Sequence, residues 1–181
     1  MNNRVVGIDY SMTSPAICIL QGEHMAFTFW TRKKKNECEI QLEGCSIKGI
    51  LFDYKGCPDE ERFNYLATEI FQASESMIPT RIILEDYSYA STGRAFQIGE
   101  NTGVLKNRFH RSGFEIEKVA PTQVKKFATG KGNADKELMQ AQFLHDTGLD
   151  IKQILGQTEK QWNPSSDIID AYYIASYGKR Q

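Results

Sequence analysis

The segment Val5-Val6-Gly7-Ile8-Asp9-Tyr10-Ser11 opens as an apolar run with two β-branched valines. That is the composition of a strand buried on both faces in the middle of a sheet. Asp9 stands near its end, where an unpaired buried carboxylate costs roughly several kcal/mol. Three further acids have comparable settings. Glu85 closes the apolar strand Arg81-Ile82-Ile83-Leu84, and Asp167 and Asp170 lie three apart near the start of the last helix, so both project from one helical face. Each has an ordinary explanation alone: a buried acid satisfied by amides, a strand-end acid meeting solvent, or first-turn acids favouring a helix dipole. Together, two acids on strands and two on one helix form the set that two-metal phosphoryl chemistry uses. They are expected to make one cluster that binds divalent metal.

The physical need behind that expectation is specific. Phosphodiester hydrolysis requires a nucleophilic hydroxide and a stabilised leaving alkoxide, and two cations about 4 Å apart serve both. Mg²⁺ takes hard oxygen ligands and keeps several waters, so carboxylates suit it. Two like charges ~4 Å apart repel by about 4 kcal/mol at an effective dielectric of 20, so such a cluster depends on cations.

The rest of the 181-residue chain reads as one domain over residues 1–181. Its 40% hydrophobic and 25% charged content is that of a globular protein rather than a disordered one. No apolar run approaches the ~20 residues that span a bilayer, and the start of the chain has no signal-peptide core, so a cytoplasmic location is expected. Cys18, Cys38, Cys45 and Cys57 show no paired spacing; Cys38, Cys45 and Cys57 with His24 make a weak zinc set, and free thiols in a reducing compartment fit better. The net charge of −1 argues against a bulk polyanion binder, yet the bases come in groups. Arg32-Lys33-Lys34-Lys35 is one, Lys106, Arg108 and Arg111 a second, and Lys125, Lys126, Lys131 and Lys136 a third. The first is read either as a solvated turn or as a phosphate contact.

In chain order, Ala16-Ile17-Cys18-Ile19-Leu20 and residues 24–30 follow the first strand as an antiparallel meander, with a turn at Gln21-Gly22-Glu23. Residues 32–57 resist assignment. Residues 59–77 have helical periodicity, with Pro58 before and Pro79 after. The strand over 81–85 then implies a parallel pairing with a right-handed crossover. Residues 91–111 form a long helix with Gly99 and Gly103 four apart, 114–119 a fifth strand, and Pro121 opens a short helix. Residues 134–147 are helical again, and 148–163 are an uncertain connection. The last helix takes Asn163 or Ser165 as its cap and Gly178 as its stop. The expected fold is α/β: three layers, with a five-stranded mixed sheet whose first three strands are antiparallel, flanked by helices.

Gly7-Ile8-Asp9, Leu84-Glu85-Asp86-Tyr87 and Asp167-Ile168-Ile169-Asp170-Ala171 resemble, in order and setting, the RuvC-like Holliday-junction resolvases of the RNase H-like superfamily. Gln123-Val124-Lys125 followed by Gly130-Lys131-Gly132-Asn133-Ala134-Asp135-Lys136 is similar to that family's segment carrying two lysines near the scissile phosphate. Asn101-Thr102-Gly103-Val104-Leu105 resembles its glycine-bearing helix. Tyr10-Ser11-Met12-Thr13-Ser14 departs from the Pro-Gly and Thr-Gly of cellular members and points to a phage-type or divergent branch. The resemblance implies a crossover junction endodeoxyribonuclease, a homodimer acting on branched DNA in the cytoplasm of a bacterial or phage-infected cell. It implies that Asp9, Glu85, Asp167 and Asp170 hold two Mg²⁺ ions, with Mn²⁺ substituting, and that the products carry a 5′-phosphate and a 3′-hydroxyl. Lys125 and Lys136 would neutralise the phosphate in the transition state. No membrane or small-molecule cofactor is implied.

Tyr87 and Tyr89 are candidates for stacking on an unpaired base. Arg94, Lys106, Arg108, Arg111, Lys126 and Lys131 are candidates for phosphate contacts. Two other readings stay open: an RNase H-like nuclease acting on flaps or RNA–DNA hybrids, and a non-catalytic DNA-binding subunit on the same fold.

Overall fold

A computed structural model describes residues 4–76, 79–86 and 94–180. Among them, one mixed sheet has seven strands: β1 (Arg4–Asp9), β2 (Ala16–Gln21), β3 (His24–Thr31), β4 (Cys38–Leu42), β5 (Cys45–Leu51), β6 (Arg81–Glu85) and β7 (Ile116–Val119), in the order β4-β5-β3-β2-β1-β6-β7. The meander β1–β2–β3 is antiparallel, and β6 lies parallel to β1 after the crossover through α1 (Asp59–Glu75).

The expected count of five strands is corrected to seven. Residues 38–51 form a hairpin in which β5 pairs parallel to β3 and β4 pairs antiparallel to β5. The meander leaves one edge of β3 unpaired, and open backbone groups on such an edge are satisfied by further strands. The hairpin is hard to read because its outer strand is mostly exposed.

Strand alternation sorts the core into two layers. Val6, Ile8, Ile82 and Leu84 face α1 and α2 (Ala95–Arg111), packing with Leu66, Ile70, Leu105 and Phe109. Val5 and Ile83 face the other side, where they pack with Ile168, Ala171, Ile174 and Ala175 of α6 (Ser165–Arg180). The same layer receives α3 (Pro121–Thr129), α4 (Lys136–Thr147) and the short α5 (Ile151–Ile154). With a period of two, Asp9 and Glu85 fall on the face that meets α6.

The contact between β1 and α6 is made backbone to backbone. A Cβ at Gly7 would collide with the amide of Ala175 and the carbonyl of Ala171. Gly178, expected to stop the last helix, lies inside it instead, and the helix continues to Arg180. Its reason is again clearance: a Cβ there would run into Ile83 and come within 3.1 Å of Val5 Cγ1. The start of α6 also differs from expectation. Ser165 Oγ donates to the Trp162 carbonyl at 2.7 Å, and the Asn163 side chain turns to Asp167.

Candidate active site

Asp9 and Glu85 close neighbouring parallel strands. The register pairs Gly7 with Ile83 and Ile8 with Leu84, so the two acids are the next step along the same ladder. This is the carboxyl end of the parallel strands, where open α/β sheets place their ligand sites. Asp167 and Asp170 come in from the first turns of α6, which is pinned to β1 one turn further on by Ala171 and Gly7. Asp167 is buried at 9% exposure, whereas Asp9, Glu85 and Asp170 keep partial access to solvent.

Electrostatics ties the four together. Burial pushes the Asp9 carboxyl well above the usual range, and the charges of Glu85, Asp167 and Asp170 push it further, against Lys136. Glu85 rises to about 7 through burial and then Asp170, with Lys125 opposing. Asp170 rises to about 6 through burial and Asp167, with Lys125 and Lys136 opposing. Asp167 also rises to about 6 from burial, restrained by hydrogen bonds from Asn163, by Lys136 and by Ser14 and Ser166. Buried acids whose ionised forms are disfavoured by desolvation and by one another's charge form a sink for positive charge, Asp167 contributing its charge to Asp9 and Asp170.

The expectation of a preformed metal cluster is coarser in the structure. Among the described residues, no three His, Cys, Asp or Glu side chains are gathered into a ready ion cage. Asn163 Nδ2 reaches both oxygens of Asp167 at 2.7 Å. The donor set still suits a hard divalent cation: four carboxylates on rigid elements, with proton affinities raised by burial and, for Asp9, Glu85 and Asp170, by a neighbouring acid as well. The weak zinc set is not gathered either among the described residues, and the four cysteines form no disulfide.

The two lysines arrive from the α3–α4 side. Lys125 and Lys136 line a small cavity of about 60 Å³ with Asp170 and Trp162, and Lys136 Nζ donates to Ser166 Oγ at 3.3 Å. A larger cavity of about 440 Å³ opens over Asp9 and Glu85 and is lined also by Thr13, Arg94 and Asn101. Buried Asn101 accepts a hydrogen bond from the Tyr10 hydroxyl at 3.0 Å, fixing the wall of that cavity. A more voluminous hollow of about 880 Å³, between Leu20, Phe127, Tyr172 and Arg180, lies beside the C-terminal half of α6 and holds none of the four acids.

The remaining candidates are scattered around this centre. Arg94 stands at the cavity with Asp9. Lys106 and Arg111 are exposed along α2, and Lys126 and Lys131 are exposed at and after the end of α3. Arg108 is turned toward α1, where its guanidinium donates to Asn64 Oδ1 at 2.9 Å. Tyr87 and Tyr89 lie outside the described residues. Asn163, Ser14 and Asn101 are site residues that the sequence reading did not single out for this role. Only Asn163 left a trace, its spacing of one helical turn before Asp167.

No protein-family model matches the chain. RuvC crossover junction endodeoxyribonuclease of Chlamydia muridarum is 30% identical over 115 residues, 63% of this chain and 63% of that protein. The same enzyme of a Synechococcus strain is 24% identical over 147 residues, 81% of this chain and 86% of that one. The structure of Thermus thermophilus RuvC in complex with a Holliday junction substrate superposes with a TM-score of 0.63 at 20% identity, covering 96% of this chain and 90% of that one. The chain has the fold of RuvC. Its match to the Chlamydia protein thus spans less than two thirds of that relative's length.

Proposed function

We propose that this RuvC-like chain is a metal-dependent, structure-selective endonuclease that hydrolyses phosphodiesters in branched DNA, four-way junctions above all. The observation that carries the reading is the convergence of Asp9, Glu85, Asp167 and Asp170 from β1, β6 and α6 into one mutually repelling field. Those four carboxylates would hold two Mg²⁺ or Mn²⁺ ions. When bound, such ions supply the acidified water and the charge neutralisation that in-line phosphodiester hydrolysis needs.

The chain's own residues do the rest. Asn163 fixes the direction in which Asp167 presents its oxygens, and Ser14 and Ser166 support the same carboxylate. Lys125 and Lys136 bring positive charge beside the acids and would bind non-bridging oxygens as negative charge builds on them. Arg94 at the cavity rim would hold an adjoining phosphate. The products would be a 5′-phosphate and a 3′-hydroxyl. A homodimer suits this substrate, since two sites related by a two-fold axis match a four-way junction of the same symmetry. Among the described residues no helix is long and apolar enough to cross a membrane, and action on cytoplasmic DNA is consistent with that.

The test is incubation with a labelled synthetic four-way junction, with and without Mg²⁺, beside a flap and an RNA–DNA hybrid of equal length. Mg²⁺-dependent paired nicks confined to the junction are expected. Preferential cutting of the hybrid or flap would transfer the assignment to those substrates, and binding with no cutting under any divalent cation would leave a DNA-binding subunit.

A further inference from the structure

The basic run Arg32-Lys33-Lys34-Lys35 finds no use in the site described so far, yet the fold brings it close. A groove of about 400 Å³ is lined by Thr13, Ser14, Trp30, Arg32, Lys33 and Asn163, among others, and none of its described lining residues is an acid. Thr13 also lines the cavity over Asp9 and Glu85, so the groove and the acid-bearing cavity share a wall. Ser14 and Asn163 are the residues that support Asp167.

The groove is built on rigid backbone. The short 3-10 turn Lys34–Asn36 lies against β5 so closely that a Cβ at Gly49 would collide with the Asn36 carbonyl. Thr31 Oγ1 accepts from the Lys33 amide at 3.2 Å and from Asn36 Nδ2 at 3.4 Å. Arg32 rests on the Tyr54 ring, 4.8 Å from its centre, and among the described residues no carboxylate pairs with it or with Lys33. Trp30 is fully buried, and its indole Nε1 has no hydrogen-bond partner.

We infer that this groove is a backbone-phosphate seat for one arm of the branched DNA, on the side of the acids away from Lys125. The sheet order supports the geometry: Thr31 and its turn lie on the β3 side of β1, and α3 follows β7 on the other. A strand crossing the acids is then gripped on both flanks, by Arg32 and Lys33 before and by Lys125 and its neighbours after. The inference rests on the endonuclease reading and adds to it where the substrate runs.

The test compares the parent with the double variant Arg32→Ala/Lys33→Ala on a labelled four-way junction without divalent metal. It uses equilibrium binding across salt concentrations and ethylation interference. Two lost phosphate contacts should lower the slope of log affinity against log salt by about 2, and weaken binding about tenfold near physiological salt. Phosphates on one flank of the cut whose ethylation weakens the parent should cease to matter for the variant. Lys33→Glu, which keeps Arg32 on Tyr54, should weaken binding as well and guards against a folding defect in the double variant. If slope and interference pattern are unchanged while the parent cuts the junction with Mg²⁺, the groove is not a phosphate seat and the endonuclease reading survives. If the parent neither binds nor cuts the junction, both fall together.

Discussion

Asn163 Nδ2 stands 2.7 Å from each oxygen of Asp167, one helical turn before it, so a single amide spans the whole carboxylate of a proposed metal ligand. Partners behind a ligand set its direction and proton affinity, and their loss typically costs about 10–100-fold in metal affinity or activity. Asn163→Ala is therefore expected to lower single-turnover cleavage by about tenfold or more while leaving the fold intact. Because the Asn163 bonds hold the Asp167 pKa down, the acid limb of the pH–rate profile should also move to higher pH. An unmoved acid limb would count against the clasp.

Asp9→Asn should abolish cleavage and spare junction binding. It should also stabilise the metal-free protein by on the order of 1–3 kcal/mol, because one charge of a repelling set is removed. Denaturant titration of both proteins in a chelating buffer reads the second effect. A less stable variant would mean that Asp9 is a structural acid.

The pH dependence of metal-free stability has a definite sign. Glu85, at about 7, and Asp167 and Asp170, at about 6, hold protons more tightly in the fold than in the unfolded chain. The folded state thus binds more protons between about pH 4 and pH 7, and stability must fall as pH rises through that window. Each unit of raised pKa corresponds to about 1.4 kcal/mol at most. Melting temperatures measured in chelator should be higher near pH 4.5 than near pH 7.5, and Glu85→Gln, which removes the group at about 7, should shrink that difference.

Mg²⁺ at neutral pH should reverse that loss. Ligand binding to the folded state alone adds about 2.7 kcal/mol at a hundredfold excess over the dissociation constant. A melting curve that does not respond to Mg²⁺ or Mn²⁺ would remove the four acids from consideration as a metal site.

Gly7→Ala tests the scaffold. Its Cβ would strike α6 backbone, which cannot rotate out of the way as a side chain can. Overpacking of this kind costs about 1–3 kcal/mol, and here the strain also shifts Asp9 against Asp170, so activity should fall further than stability predicts.

The strands around the acids were legible because their patterns are strong. The valines before Asp9 and the isoleucines before Glu85 are continuous apolar runs, and such runs sit mid-sheet. The i, i+3 spacing of Asp167 and Asp170 needed only a helix to become one face. The hairpin over residues 38–51 was illegible for a physical reason. In β4 the residues Glu39, Gln41 and Leu42 are exposed, so no buried alternation marks it. In β5, Gly49 reads as a break, although it is small because the Asn36 carbonyl and the Phe29 ring press on it. Asn163 and Gly178 were misread in a similar way. A local rule for helix ends explained each, while the actual demand on each came from a distant part of the chain.

The meeting of Gly7 with Ala171 and Ala175 leaves the strand and helix that carry three of the four acids no room to slide or breathe. On the reading proposed here, the jaws are stiff, and the substrate must do the bending. An intact duplex resists sharp curvature over a few base pairs, whereas a crossover is already a flexible point. Selection for branched DNA then needs no sequence-reading element: the polymer that yields is the one that is cut.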